Sequence, residues 1–180
     1  MPGTALEACF AIYSRTEVAR FTSPPPGRPA ESLAQMRTML DRRIARSEEG
    51  SDYGMWAVEL RATSQVVGAV LLRPIRRESN RFEIGWHFNP DHWGAGYATE
   101  AGRGVIGLAF GSDAVGTEQV GPALASRRTR TVLDKVQALV EPDNVRSMDV
   151  CRRIGMSHLG QTVHDGMKLE LFELARAEVS

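Results

Sequence analysis

The stretch "FEIGWHFNPDHWGAGYATEA", residues 82 to 101, decides how this chain folds. Its opening, "RFEIGWHF" at 81–88, has the two-residue alternation of a strand, with Glu83, Gly85 and His87 pointing to one side. Gly94, Ala95 and Gly96 then stand behind Trp93, and helical character runs from Tyr97 to Phe110. A strand, a loop of small residues and a helix entrance therefore follow one another. Glycine reaches positive φ and exposes its N–H without a Cβ in the way. The first turn of a helix carries unpaired N–H donors at its positive dipole end. Together, from Gly94 to Thr99, these features suit an anion, above all a phosphate. A tight turn packed under an aromatic is the plainer alternative for the same residues.

Two phosphate motifs are poor fits. The P-loop places a Lys after its last glycine, and none stands here. The dinucleotide fingerprint places a third small residue further on and lies between parallel strands. "GAGYAT" lacks that residue, and the strands before it look like antiparallel hairpins.

Outward from the stretch, "MWAVEL" (55–60) and "QVVGAVLLRPI" (65–75) flank a short turn and predict a hairpin. Before them, Leu6, Cys9, Phe10, Tyr13 and Val18 recur at helical spacing between Leu6 and Arg20. "TSPPPGRP" stops any helix, because prolines donate no backbone bond. "AESLAQMRTMLDRRIAR" restarts one, with Leu33, Met36, Leu40 and Ile44 as its apolar stripe. "DKVQALVE" (134–141) reads as a buried strand, and "NVRSMDVCRRIG" (144–155) as a short helix closed by Gly155. "MSHLGQTV" and "MKLELFELAR" form a closing pair of strands. The order α α β β β α β α β β implies one α/β domain, residues 1 to 180, with a mixed, mostly antiparallel central sheet flanked by helices. The connection at 111–133 is far longer than the usual ~2–6 residues. With Arg127, Arg128 and Arg130 it is either a mobile solvated loop or a basic flap over an acidic or phosphate-bearing ligand.

Composition sets limits on partners. With 22 basic and 22 acidic side chains, no global field draws the chain to nucleic acid or to a membrane surface. No run of ~18 apolar residues suggests a transmembrane span, and no signal peptide is legible at the N-terminus. Cys9 and Cys151, the two cysteines, make neither a disulfide framework nor a zinc site. A reducing cytoplasm is the expected compartment.

The combination of "FEIGWHFNPDHWGAGYATEA" with "VQALVEPDNVRSMDVCRRIGM" resembles the GNAT superfamily of acyl-CoA-dependent N-acetyltransferases, and most of all its RimJ/RimL-like branch, which acetylates N-terminal amines of ribosomal proteins. The resemblance covers about residues 53 to 175. It implies a sheet splayed between its two central strands, acetyl-CoA as co-substrate without a metal, and an amine acceptor, either a protein N-terminus or a small amine. A homodimer is compatible with it. A non-catalytic acyl-CoA-binding module is the rival reading.

Carried over residue by residue, the resemblance assigns the cofactor's pyrophosphate to Trp93, Gly94, Ala95, Gly96, Tyr97 and Ala98. Trp93 stands where the wider superfamily often has Gln or Arg. Backbone groups of Trp86, His87 and Phe88 would pair with the pantetheine arm as an added strand. The His87 ring itself reads first as packing. Glu83 matches the glutamate that serves some members as base, a role needed because an amine is mostly protonated at neutral pH. A structural ion pair is its other reading. Asn144 matches a pantetheine contact and also suits an N-cap. Ser147 matches a residue placed to stabilise the departing thiolate, and Cys151 falls where many members carry a donor tyrosine. Spaced i, i+4, the two are expected on one helix face, although Cys151 also reads as a small buried apolar residue. Relatives begin with a strand that this sequence does not show before its first helix: either the true start lies upstream, or the sheet lacks that strand and exposes an edge.

Overall fold

The computed structural model describes residues 4–22, 27–48, 53–76, 80–111 and 132–176. The 112–131 part of the long connection, with its three arginines, lies outside the described residues.

The N-terminal region is two helices where the periodicity predicts one. Helix α1 (Ala5–Tyr13) opens on a capping box: Thr4 accepts from the Glu7 backbone N–H, and the Thr4 N–H donates to the Glu7 carboxylate at 2.7 Å. The chain then turns extended at Arg15 (φ −84°, ψ 124°) before α2 (Thr16–Ala19). The break lets the Tyr13 carbonyl accept from the Ala30 N–H at 2.8 Å, which ties the returning chain to α1. At Gly27 a Cβ would lie 1.8 Å from the Ala19 carbonyl oxygen, so only glycine fits that crossing. Helix α3 (Leu33–Glu48) follows. Of its predicted stripe, Met36 is fully buried and Leu40 packs beside it, whereas Leu33 and Ile44 stay exposed.

Strands β1 (Gly54–Leu60), β2 (Gln65–Pro74) and β3 (Phe82–Phe88) run antiparallel to one another in sequence. Helix α4 (Tyr97–Phe110) crosses over to β4 (Lys135–Val140), and α5 (Val145–Arg153) leads to the hairpin of β5 (Ser157–His164) and β6 (Met167–Ala175). That hairpin turns on Asp165-Gly166, both at positive φ, the pairing that a two-residue turn between twisted strands favours. The sheet order is β1-β2-β3-β4-β6-β5, and only β3 and β4 are parallel neighbours. No strand precedes α1 among the described residues, and β1 stands at a sheet edge.

The sheet separates two cores. On one face Leu72, Ile84, Val136 and Phe172 meet Val105, Ile106 and Ala109 of α4 and Cys151 and Ile154 near α5. On the other, Ile12, Tyr13, Val18, Ala30 and Met36 cluster, with Met55 and Trp93 packed against them. Gly102 in α4 has a packing reason: a Cβ there would come within 3.4 Å of Ile154 and 3.7 Å of Trp86.

Candidate functional site

Strands β3 and β4 share a single register pair, Glu83 opposite Gln137. Beyond it they part, and the gap between their C-terminal halves becomes a cleft. Gly85, Trp86, His87 and Phe88 form one wall, and Ala138, Leu139 and Val140 the other. The cleft continues onto both helix entrances and measures about 2720 Å³, well above the ~300–1,000 Å³ of a single-ligand pocket. It has room for two substrates.

The arm leaving β3 is built to hold its loop still. Asn89 accepts from the Asp91 N–H at 3.1 Å and starts a short 3-10 turn over Pro90–His92. The Trp93 indole N–H donates to the Phe88 carbonyl at 2.9 Å, folding the ring back on the strand. Gly94 and Gly96 then adopt φ of +81° and +87°. A Cβ at either would meet no protein atom within 4 Å, so the loop faces open space. No side chain caps α4. Its first-turn N–H donors at Tyr97, Ala98 and Thr99 therefore lie at the cleft wall without a capping acceptor. Free N–H donors at a helix entrance are the groups that an anion would need.

The arm leaving β4 ends in Asn144, whose side chain accepts from the Ser147 N–H at 3.2 Å and so caps α5. Asn144 and Ser147 both line the cleft. Cys151 does not. It is 0% exposed within the core beneath the sheet, where burial pushes its thiol up to about 12. Ser147 in the first turn of α5 lines the cleft, while Cys151 one turn later is enclosed in the core. The expected pairing of Ser147 with Cys151 over one ligand atom is thus not what the fold provides.

Glu83 lies where the strands divide, and it lines the cleft. Its carboxylate is held by Arg73 across the β2–β3 pair, at 2.9 Å from Nη2 and 3.0 Å from Nε. A polar network continues over the sheet: Arg81 donates to Gln137 at 2.9 Å, and Gln137 donates to Glu173 at 2.6 Å. Glu173 is also paired with Lys135 and titrates below the usual carboxylate range; burial opposes that shift, and its bonds to Gln137 and Lys135 outweigh it. Gln137 is the buried polar residue at the fork. His87 turns toward α1, with Nδ1 2.8 Å from the Tyr13 hydroxyl and the rings edge to face. Its ring is thus engaged with α1 by a hydrogen bond as well as by packing.

Three features escape sequence reading. Arg73 is the partner of Glu83. The β5–β6 turn reaches the cleft through His164 and Asp165, and Asp165 faces Arg76 at 3.7 Å. Arg146 lies over the Trp93 ring, 4.5 Å from its centroid. Only the first has a local signal, since register across a short hairpin can be counted. No group of three His, Cys, Asp or Glu among the described residues could hold a metal. Among the described residues no helix is long and apolar enough to cross a membrane.

Comparison with known proteins bears on the family and the fold. The family model described as "Acetyltransferase (GNAT) domain" matches residues 3–157. The uncharacterized N-acetyltransferase YoaA of Bacillus subtilis is 30% identical over 115 residues, which are 64% of this chain and 62% of YoaA. The chain thus spans about three-fifths of that relative's length. A GNAT-family acetyltransferase from Bacillus anthracis superposes with a TM-score of 0.69 at 20% identity, covering 96% of this chain and 89% of the other. The aminoglycoside acetyltransferase AAC(6')-Ib, solved with coenzyme A, gives 0.69 at 14% identity over 99% and 93% of the two chains. These two show a shared fold. With the family model matched over most of its length, the chain belongs to the GNAT acetyltransferase family.

Proposed function

We propose that the protein moves an acetyl group from acetyl-CoA to a primary amine in a direct ternary complex. The observation that carries this reading is the fork at Glu83 and Gln137, beyond which a strand edge and an uncapped helix entrance face the same cleft. The donor set suits coenzyme A. Backbone N–H groups from Gly94 to Ala98 would hold its diphosphate, and the β3 edge from Gly85 to Phe88 would pair with the two amides of its arm. The co-substrate supplies an activated thioester. β3 N–H groups aimed at the acyl oxygen would favour charge developing there.

Glu83, directly or through a water, would take the proton that the acceptor ammonium must lose. Arg73 keeps that carboxylate in place. Ser147 would donate a hydrogen bond to the departing thiolate, and Asn144 would orient the arm while capping α5. Cys151 has no part in this scheme, being buried away from the cleft.

For the acceptor, the turn "NPDHWGAGYATE" favours the RimJ/RimL-like branch and hence a protein N-terminal amine, with a small amine as the other candidate. The exclusion of Cys151 from the cleft favours one second reading, an acyl-CoA-binding module without turnover. Release of free thiol from acetyl-CoA, measured over a panel of N-terminal peptides and small amines, separates them. A transferase releases thiol with at least one acceptor. A binding module keeps its affinity and releases none.

A further inference from the structure

The loop that opens α4 begins with an indole, which brings no charge to an anion site. A cation nevertheless lies on it. Arg146, in the first turn of α5, places its Cζ 4.5 Å from the Trp93 centroid. Trp93 is a fixed platform: its N–H is bound to the Phe88 carbonyl at 2.9 Å, and its ring packs against the core under α1. Arg146 is exposed, lines the cleft, and is within ion-pair distance of no carboxylate among the described residues. The nearby Asp149 is instead engaged by Arg152 at 2.8 Å. A guanidinium attracted to an aromatic face through its charge still has N–H donors to offer an anion. Its planar fork is shaped for phosphate oxygens.

The contact also joins the two sides of the cleft. Trp93 belongs to the arm that leaves β3, and Arg146 to the arm that leaves β4. We infer that Arg146, held on Trp93, is a side-chain ligand of the cofactor's diphosphate, and that the pair latches the two arms together around it. The inference rests on the reading of this cleft as the coenzyme A site. Backbone donors at Gly94 to Ala98 would take one side of the diphosphate and the guanidinium the other.

The test compares coenzyme A and 3′-dephospho-coenzyme A with pantetheine, which has the same thiol arm but neither diphosphate nor nucleotide, by calorimetric titration of the wild type, Arg146→Gln and Arg146→Lys. The two coenzyme A forms should lose affinity alike, and a loss confined to the form with the 3′-phosphate overturns the inference. Arg146→Gln is expected to weaken coenzyme A by about 10- to 100-fold, the effect of one charged hydrogen-bonding group, and to leave pantetheine unchanged. Arg146→Lys keeps the charge and loses the flat fork, so it should fall between. Added salt should weaken the wild type more steeply than Arg146→Gln. Equal coenzyme A affinity in wild type and Arg146→Gln overturns the inference and leaves the coenzyme A site standing. An equal loss for coenzyme A and pantetheine overturns it too, because Arg146 would then only support the cleft's shape. A wild type that binds no coenzyme A overturns the site itself and the inference with it.

Discussion

Glu83 and Gln137 face each other at the last point where β3 and β4 are joined, and everything proposed for the cleft follows from that fork. Below it, Arg73, Arg81, Glu173 and Lys135 bind the strands together through side chains. Above it, backbone groups of β3 face the cleft. The buried Gln137, bonded to both Arg81 and Glu173, makes the end of the ladder a fixed place. Replacing it by Leu would remove one partner from each, although Glu173 would keep its ion pair with Lys135.

Gly96→Val should abolish most acetyl-CoA binding in a protein that still folds. At φ +87° a β-branched residue is strained, by about 1–3 kcal/mol. Its Cβ would meet no protein atom within 4 Å, so the side chain would project into the space assigned to the diphosphate. Circular dichroism should show a folded variant, and calorimetry should show the lost affinity. Undiminished affinity would take the diphosphate away from this loop.

Glu83→Gln should lower kcat by about 100-fold at neutral pH, within the range for a general base. The deficit should shrink as pH rises toward the acceptor's own pKa, about 8 for an α-amine. A pH–rate profile that overlays the wild type would leave Glu83 as the ion-pair partner of Arg73 and nothing more.

Ser147→Ala should reduce kcat by about 10- to 100-fold, the scale of one transition-state hydrogen bond. Acetyl-CoA affinity should hardly change, since a thioester sulfur accepts poorly in the ground state. Steady-state kinetics together with direct titration of acetyl-CoA decide the matter. A loss of affinity equal to the loss of rate would make Ser147 a binding residue.

Cys151→Ala should keep kcat within a few-fold of the wild type, because the thiol does not reach the cleft. Its effect should be on stability. The folded thiol is raised to about 12, so the protonated form's contribution is complete below the unfolded value near 8.5 and is lost as pH rises toward 12. Urea unfolding at pH 8 and at pH 10.5 should show a steeper decline in the wild type than in Cys151→Ala. In the native protein a thiol reagent should modify the half-buried Cys9 well before Cys151. Rapid labelling of both would mean that Cys151 is more open than this fold allows.

Periodicity and turn chemistry made much of this architecture legible. The "MWAVEL" and "QVVGAVLLRPI" hairpin, the strand "RFEIGWHF" and the helix from Tyr97 to Phe110 are found at or within two residues of their expected bounds. Each rests on near neighbours along the chain, which is what alternation and capping report. The split of the first helix at Arg15 was not legible, because a carbonyl bond to Ala30 outweighs local helical spacing. Nor was the fate of Cys151. Its i, i+4 relation to Ser147 is real, but helical spacing does not say where a helix leaves a cleft and enters a core. The stack of Arg146 on Trp93 is beyond any local pattern, since it depends on how α5 docks beside the β3 arm.

The most direct test of the central claim is mass spectrometry of the acceptor and of the intact protein, run alongside thiol release. With acetyl-CoA and a productive amine, the account predicts one N-acetylated acceptor for each thiol released. It also predicts an unmodified protein mass throughout, because transfer occurs directly in the cleft. Coenzyme A binding without acetylation across N-terminal peptides and small amines would contradict it, as would an acetylated protein that forms before the acceptor is added.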